Sequence, residues 1–80
     1  MRKSIHSGDY KALAAWLKAS REARGLSQRE LADLIDVHHS VIWKVEACER
    51  RLDVLEYISY CRILEVNPLE GIKLVIKRLG

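Results

Sequence analysis

The segment Gly25-Leu26-Ser27-Gln28-Arg29-Glu30-Leu31-Ala32-Asp33-Leu34-Ile35-Asp36-Val37-His38-His39-Ser40-Val41-Ile42-Trp43-Lys44-Val45-Glu46-Ala47 spells two short helices and the break between them. Gly25 stops the helix before it, since a residue without a Cβ enters the left-handed region at least cost. Ser27-Gln28-Arg29-Glu30 then forms a capping box, in which the Ser27 hydroxyl accepts from the Glu30 N–H and the Glu30 carboxylate accepts from the Ser27 N–H. The helix that starts there is expected to bury Leu31, Leu34 and Ile35. Asp36-Val37-His38 breaks it, and helical spacing resumes from His39 to Ala47 with Val41, Ile42 and Val45 on one face. So short a break holds the two helices at a steep angle, and the second projects from the surface instead of lying flat. Ala32 is the small residue that lets the pair approach, Val37 plugs the turn, and Ile42 and Val45 pin the projecting helix to the core.

The flanks carry the same punctuation. Tyr10, Leu13, Leu17 and Ala23 form a stripe with Trp16 and Ala14 beside it, predicting a helix from Tyr10 to Arg24 with Lys11, Lys18, Glu22 and Arg24 on its other faces. Asp53-Val54-Leu55-Glu56 is a second capping box and opens a helix that runs to Glu65. On that helix Tyr57 and Tyr60 are expected to be half-buried, because both cannot point inward together with Ile58 and Cys61. Asn67-Pro68-Leu69-Glu70 opens a fifth helix, with Asn67 at the N-cap, Pro68 at the first helical position and Glu70 closing a box. No sustained apolar/polar alternation reads as strand. The expected fold is therefore all-α: five helices in one compact domain over residues 10–80, preceded by a basic arm over residues 1–9.

The chain has 80 residues, 14 Lys and Arg against 11 Asp and Glu, 49% apolar and 31% charged residues, which suits a single folded domain. No window approaches the roughly 18 uninterrupted apolar residues of a membrane span, and Met1-Arg2-Lys3 leads into Ser4-Ile5-His6-Ser7-Gly8 instead of an apolar signal core, so a cytoplasmic protein without a membrane partner is expected. Cys48 and Cys61 are too few for a disulfide framework or zinc site and read as small apolar residues. His38-His39 tempts a metal assignment, but adjacent side chains point apart and no second ligand pair follows at the right spacing. Paired carboxylates, a Ser/His/Asp set and a Gly-rich phosphate loop are all missing, so neither catalysis nor a cofactor is expected. Positive charge is front-loaded: residues 1–26 carry six basic and two acidic side chains, residues 27–51 four and five, and residues 52–80 four and four.

The run from Leu17 to Ala32, with Arg21-Glu22, Gly25-Leu26-Ser27-Gln28 and Leu31-Ala32 in order, followed by Val37, Val41 to Glu46 and Glu49-Arg50-Arg51-Leu52-Asp53, resembles the lambda repressor/Cro-type helix-turn-helix regulators, also called the xenobiotic-response-element family. The resemblance covers residues 13–70. It implies a lambda-repressor-like DNA-binding domain whose third helix reads the major groove of an operator in double-stranded DNA. By position it implies that His39, Ser40 and Lys44 read base edges and that Gln28 contacts phosphate and braces the first base-reading side chain. Trp43, beside Lys44, is placed against the DNA backbone, and Arg50 and Arg51 lie in a phosphate-contacting loop. Arg21 and Glu46 match a buried ion pair between the first and third helices. The sequence departs from the family at Cys48 and Asp36, where glycine is frequent.

Physical chemistry supports these expectations unevenly. Ser40 and Lys44 share a helix face at i and i+4, and a Lys ammonium can donate to guanine O6 or N7. A neutral His39 donates or accepts through one ring nitrogen, whereas a protonated one only donates. Ser27 and Gln28 stand at a helix N-terminus, where exposed N–H groups favour a phosphate. Against this, residues 27–51 sum to −1, so neutralisation of phosphate must draw on Arg2, Lys3, Lys11, Lys18 and Arg24. Two other functions stay open: a helix-turn-helix domain that docks a protein through Trp43 and the acidic side of its second helix, and the DNA-binding antitoxin of a toxin-antitoxin pair. On the last helix Leu69, Ile72, Ile76 and Leu79 form one stripe, which Leu74 and Val75 widen, so a homodimer through the C-terminal helix on a palindromic site is expected.

Overall fold

Two capping boxes and one Asx cap start three of the five helices. The Ser27 hydroxyl accepts from the Glu30 N–H at 3.0 Å while the Ser27 N–H donates to the Glu30 carboxylate at 2.8 Å. Asp53 and Glu56 repeat the arrangement at 2.8 and 2.9 Å. Asn67 Oδ1 accepts from the Leu69 N–H at 2.9 Å. Glu70 does not complete a third box; its carboxylate lies 3.7 Å from Lys73 one turn on. The computed structural model describes residues 8–79, with the Leu79 side chain outside the described set. It contains α1 (Gly8–Ala23), α2 (Gln28–Ile35), α3 (His39–Glu46), α4 (Val54–Leu64) and α5 (Pro68–Leu79). Gly8 and Asp9 belong to α1 and not to the predicted arm; Arg2 and Lys3 lie outside the described residues.

The core is built from one residue of α1, two each of α2 and α3, and a wide arc of α4. Leu17, Leu31, Ala32, Ile42, Val45, Tyr57, Tyr60, Cys61 and Leu64 form one buried cluster. Both tyrosines are therefore interior, and the expectation that they would be half-buried is wrong. A single-stripe reading assumes contact from one side, whereas α4 is packed by α1, α2 and α5 together, so positions 57, 60, 61 and 64 all find cover and Ile58 is left half-buried. The same assumption misplaced Leu34 and Ala23, both exposed; α2 meets the core through buried Leu31 and Ala32, with Ile35 half-buried against it.

Three helices end on a non-glycine residue in or near the left-handed region. Asp36 closes α2 at φ 65°, Cys48 follows α3 at φ 61°, and Glu65 closes α4 at φ 58°, while Gly25 takes φ 74° after α1. Each non-glycine position carries strain of about 1–2 kcal/mol that glycine would not. Cys48 and Asp36 thus keep the backbone that their departures from the family pattern put in question.

α5 lies along α1 with Gly71 buried at the contact. A Cβ at Gly71 would fall inside the contact distance of the Tyr57 hydroxyl, Trp16 and Leu13, so only a hydrogen fits. This seating sets the rotation of α5. Leu74 and Val75 are half-buried, whereas Leu69, Ile72 and Ile76 are exposed, which reverses the expectation that Leu74 and Val75 were the excess surface.

Candidate nucleic-acid interface

α3 owes its exposure to its own two faces. Ile42 and Val45 are fully buried, and opposite them His39, Ser40, Trp43 and Lys44 form a strip of exposed and half-exposed side chains, with Trp43 at 49% and Ala47 continuing the line. Positions four apart superpose on a helix, so His39 with Trp43, Ser40 with Lys44, and Trp43 with Ala47 make two adjacent rows. The helix starts on an imidazole: His38 Nδ1 accepts from the Ser40 N–H at 3.1 Å and lies 2.9 Å from the Ser40 hydroxyl. The sequence reading missed this cap, because histidine is not among the usual N-cap residues. It also means that Ser40 holds a local partner at the front of the helix.

Polar bonds fix the far end of α3. Glu46 receives Arg21 Nε at 2.6 Å and Arg21 Nη2 at 3.0 Å, and Arg21 Nη1 donates to the Leu26 carbonyl at 2.7 Å. The side chains of this pair are 10% and 5% exposed, so it is a buried bidentate bridge between α1 and α3. Gln28 Nε2 adds a third donor to Glu46 Oε1 at 2.9 Å, which ties the start of α2 into the same knot. No sequence signal marks that link across 18 positions. The buried Tyr60 hydroxyl, close to this pair, has no hydrogen-bond partner among the described residues, and burial together with the Glu46 charge pushes its pKa up, keeping the phenol protonated.

Residues 12–70 match the family model described as a helix-turn-helix domain. No curated protein matches the chain in sequence. Among solved structures, the chain is similar to the XRE-family like protein from Pseudomonas syringae pv. tomato str. DC3000, at 34% identity over 95% of this chain and 93% of that one, with a TM-score of 0.82. The chain belongs to the XRE family of helix-turn-helix proteins. Its domain is also similar to the restriction-modification controller protein C.AhdI from Aeromonas hydrophila, at 28% identity, 81% and 98% coverage and a TM-score of 0.75. The clp gene regulator ClgR from Corynebacterium glutamicum shares the fold at 21% identity, covering 89% of this chain and 76% of that one, with a TM-score of 0.78.

The remaining candidate residues of this XRE-family domain are unequally available. Ser27 is exposed, but its hydroxyl is the cap of α2. Arg50 is held by Glu56, with Nη2 at 2.7 Å from Oε2 and Nη1 at 3.4 Å from Oε1, and its carbonyl accepts from the Tyr10 hydroxyl at 2.6 Å. That hydrogen-bonded pairing raises the Arg50 pKa and lowers that of Glu56, which the Asp53 N–H also stabilises as carboxylate. Arg50 therefore shares its charge with the start of α4, while Arg51 is exposed. Loss of hydration lowers the pKa of His39 below the ordinary imidazole value, and the Arg29 guanidinium and His38 add to that against the opposing pull of Asp33. Among the described residues no cluster of His, Cys, Asp and Glu is placed to hold a metal, and no helix is long and apolar enough to cross a membrane.

Proposed function

We propose that this protein is a sequence-specific regulator of transcription that binds double-stranded DNA through α3, acting as a repressor when it occupies its operator. The observation that carries the reading is the two-faced α3: Ile42 and Val45 anchor it while His39, Ser40, Trp43 and Lys44 face outward together. A helix presented in this way fits the width of the major groove. His39 and Lys44 are the base readers, Ser40 contributes through the hydroxyl it shares with His38, and Ser27, Gln28, Trp43, Arg50 and Arg51 lie toward the backbone. The names of the similar proteins, a restriction-modification controller and a gene regulator, support this reading.

Selection of bound duplexes from random DNA tests it. Recovery of one motif is expected, and Lys44→Ala should cost about 1–3 kcal/mol on that motif and relax the preference at one or two base pairs. An unchanged motif and affinity would remove Lys44 from the reading surface; no enriched duplex at all would overturn the reading.

A homodimer on a palindromic site is supported by the exposed row Leu69, Ile72 and Ile76 on α5, at 61%, 42% and 62%, and by exposed Val54 and Leu55 at the start of α4. Self-complementary apolar patches can close in a two-fold contact, and a palindromic site with half-sites one turn of DNA apart would require the two α3 helices to stand about 34 Å apart. In sedimentation equilibrium the protein is expected at twice 9.2 kDa and Ile76→Glu at 9.2 kDa. A monomer for both would leave pairing to the DNA.

A further inference from the structure

We propose that the open cleft between α1 and α3 is the seat of one backbone phosphodiester at the edge of the groove, with Lys18 as its cation and the Trp43 indole as its wall. This rests on the DNA-binding reading and adds to it a phosphate ligand from α1. The cleft has a volume of about 180 Å³ and is lined by Lys18, Gln28, Trp43, Glu46 and Ala47. That is too small and too open for an organic cofactor and of the right scale for a phosphate with part of its sugar.

Charge bookkeeping along α2 and α3 points to the same place. Residues 27–51 carry more acidic than basic side chains, Arg21 is consumed by Glu46, and Arg50 leans on Glu56. Lys18 is exposed, stands one turn before Arg21 on α1, and has no carboxylate partner among the described residues. Glu46 borders the cleft, but Arg21 neutralises it through two bonds and Gln28 caps one of its oxygens, so an incoming phosphate meets a compensated carboxylate. One amide hydrogen of Gln28 is spent on Glu46, which fixes its plane and leaves a single hydrogen for DNA. A neutral, half-committed amide cannot supply the charge that phosphate neutralisation requires, and Lys18 can. Trp43 lies on the α3 row that borders this cleft, away from Lys44, so its ring packs against sugar and its indole N–H can donate to a phosphate oxygen.

The experiment measures binding of the wild-type protein, Lys18→Ala, Lys18→Arg, Trp43→Ala and Lys73→Ala to a selected duplex over a range of salt concentrations. Lys18→Ala is expected to make the slope of log affinity against log salt shallower by about 0.9 per bound protomer, the value for one phosphate on B-DNA, and Lys18→Arg to restore it. Trp43→Ala should weaken binding at every salt concentration without changing the slope. Lys73→Ala, an equal change of charge on α5, should leave the slope unchanged and so separates a local contact from long-range attraction. A neutral methylphosphonate at one position per half-site should abolish the difference between wild type and Lys18→Ala. Superimposable slopes for wild type and Lys18→Ala, with salt-dependent wild-type binding intact, overturn the phosphate seat alone. A wild-type protein that binds no duplex overturns the DNA reading with it.

Discussion

Glu46→Ala will lower folding stability by about 3–5 kcal/mol, because it strands a buried guanidinium. Arg21 is 8% exposed, and without Glu46 it keeps only its bond to the Leu26 carbonyl. The cost is that of an uncompensated charge and not a measure of the net worth of the pair, so a double replacement by apolar residues of similar volume, Arg21→Met with Glu46→Leu, should recover most of it. Urea unfolding of the two single variants and the double one forms the cycle. A coupling energy near zero would show that the two charges are solvated independently. At about 4–8 °C per kcal/mol for a domain of this size, the single variant should melt more than about 12 °C below wild type.

Gly71→Ala will destabilise the protein by about 3 kcal/mol, the upper end of the usual range for overpacking, although alanine is the better helix former by about 1 kcal/mol. Sequence alone would give the opposite sign. The added methyl meets the Tyr57 hydroxyl, Trp16 and Leu13, and the Tyr57 ring cannot swing away without giving up its bond to the Pro68 carbonyl at 2.5 Å. Thermal unfolding followed by tryptophan fluorescence reads both the stability and the displacement of Trp16. An unchanged midpoint would mean that α5 shifts along α1 to absorb the methyl.

These two sites mark where sequence reasoning works and where it stops. Helix starts are local chemistry: Ser27 with Glu30 and Asp53 with Glu56 lie three residues apart, so the boxes are visible without knowing the fold. Burial is not local. Leu34 sits at a position that helical periodicity marks as inward, yet it is 52% exposed on its eight-residue helix, while α4 is covered from several directions and hides both Tyr57 and Tyr60. The outward strip of α3 was legible because its inward residues are aliphatic and its outward ones are not. Its supports were not: the His38 cap departs from the usual cap chemistry, and the Gln28 to Glu46 bond joins residues that only the turn brings together. Arg50 looked like a free cation because its partner, Glu56, was already assigned to a capping box; one carboxylate serves both.

The knot at Glu46 has a mechanical consequence for reading. An apolar contact such as that of Ile42 and Val45 is non-directional and permits a helix to roll by several degrees at little cost. Three hydrogen bonds converging on one carboxylate from two other helices are directional and do not permit that roll. Base steps along a strand repeat about every 3.4 Å, so if α3 reads DNA as proposed, a small roll or slide of it would carry Lys44 from one base edge toward the next. On that proposed reading Arg21, Gln28 and Glu46 act as an index pin: they set the phase in which the protein meets the repeating ladder of base pairs, while touching none of the letters.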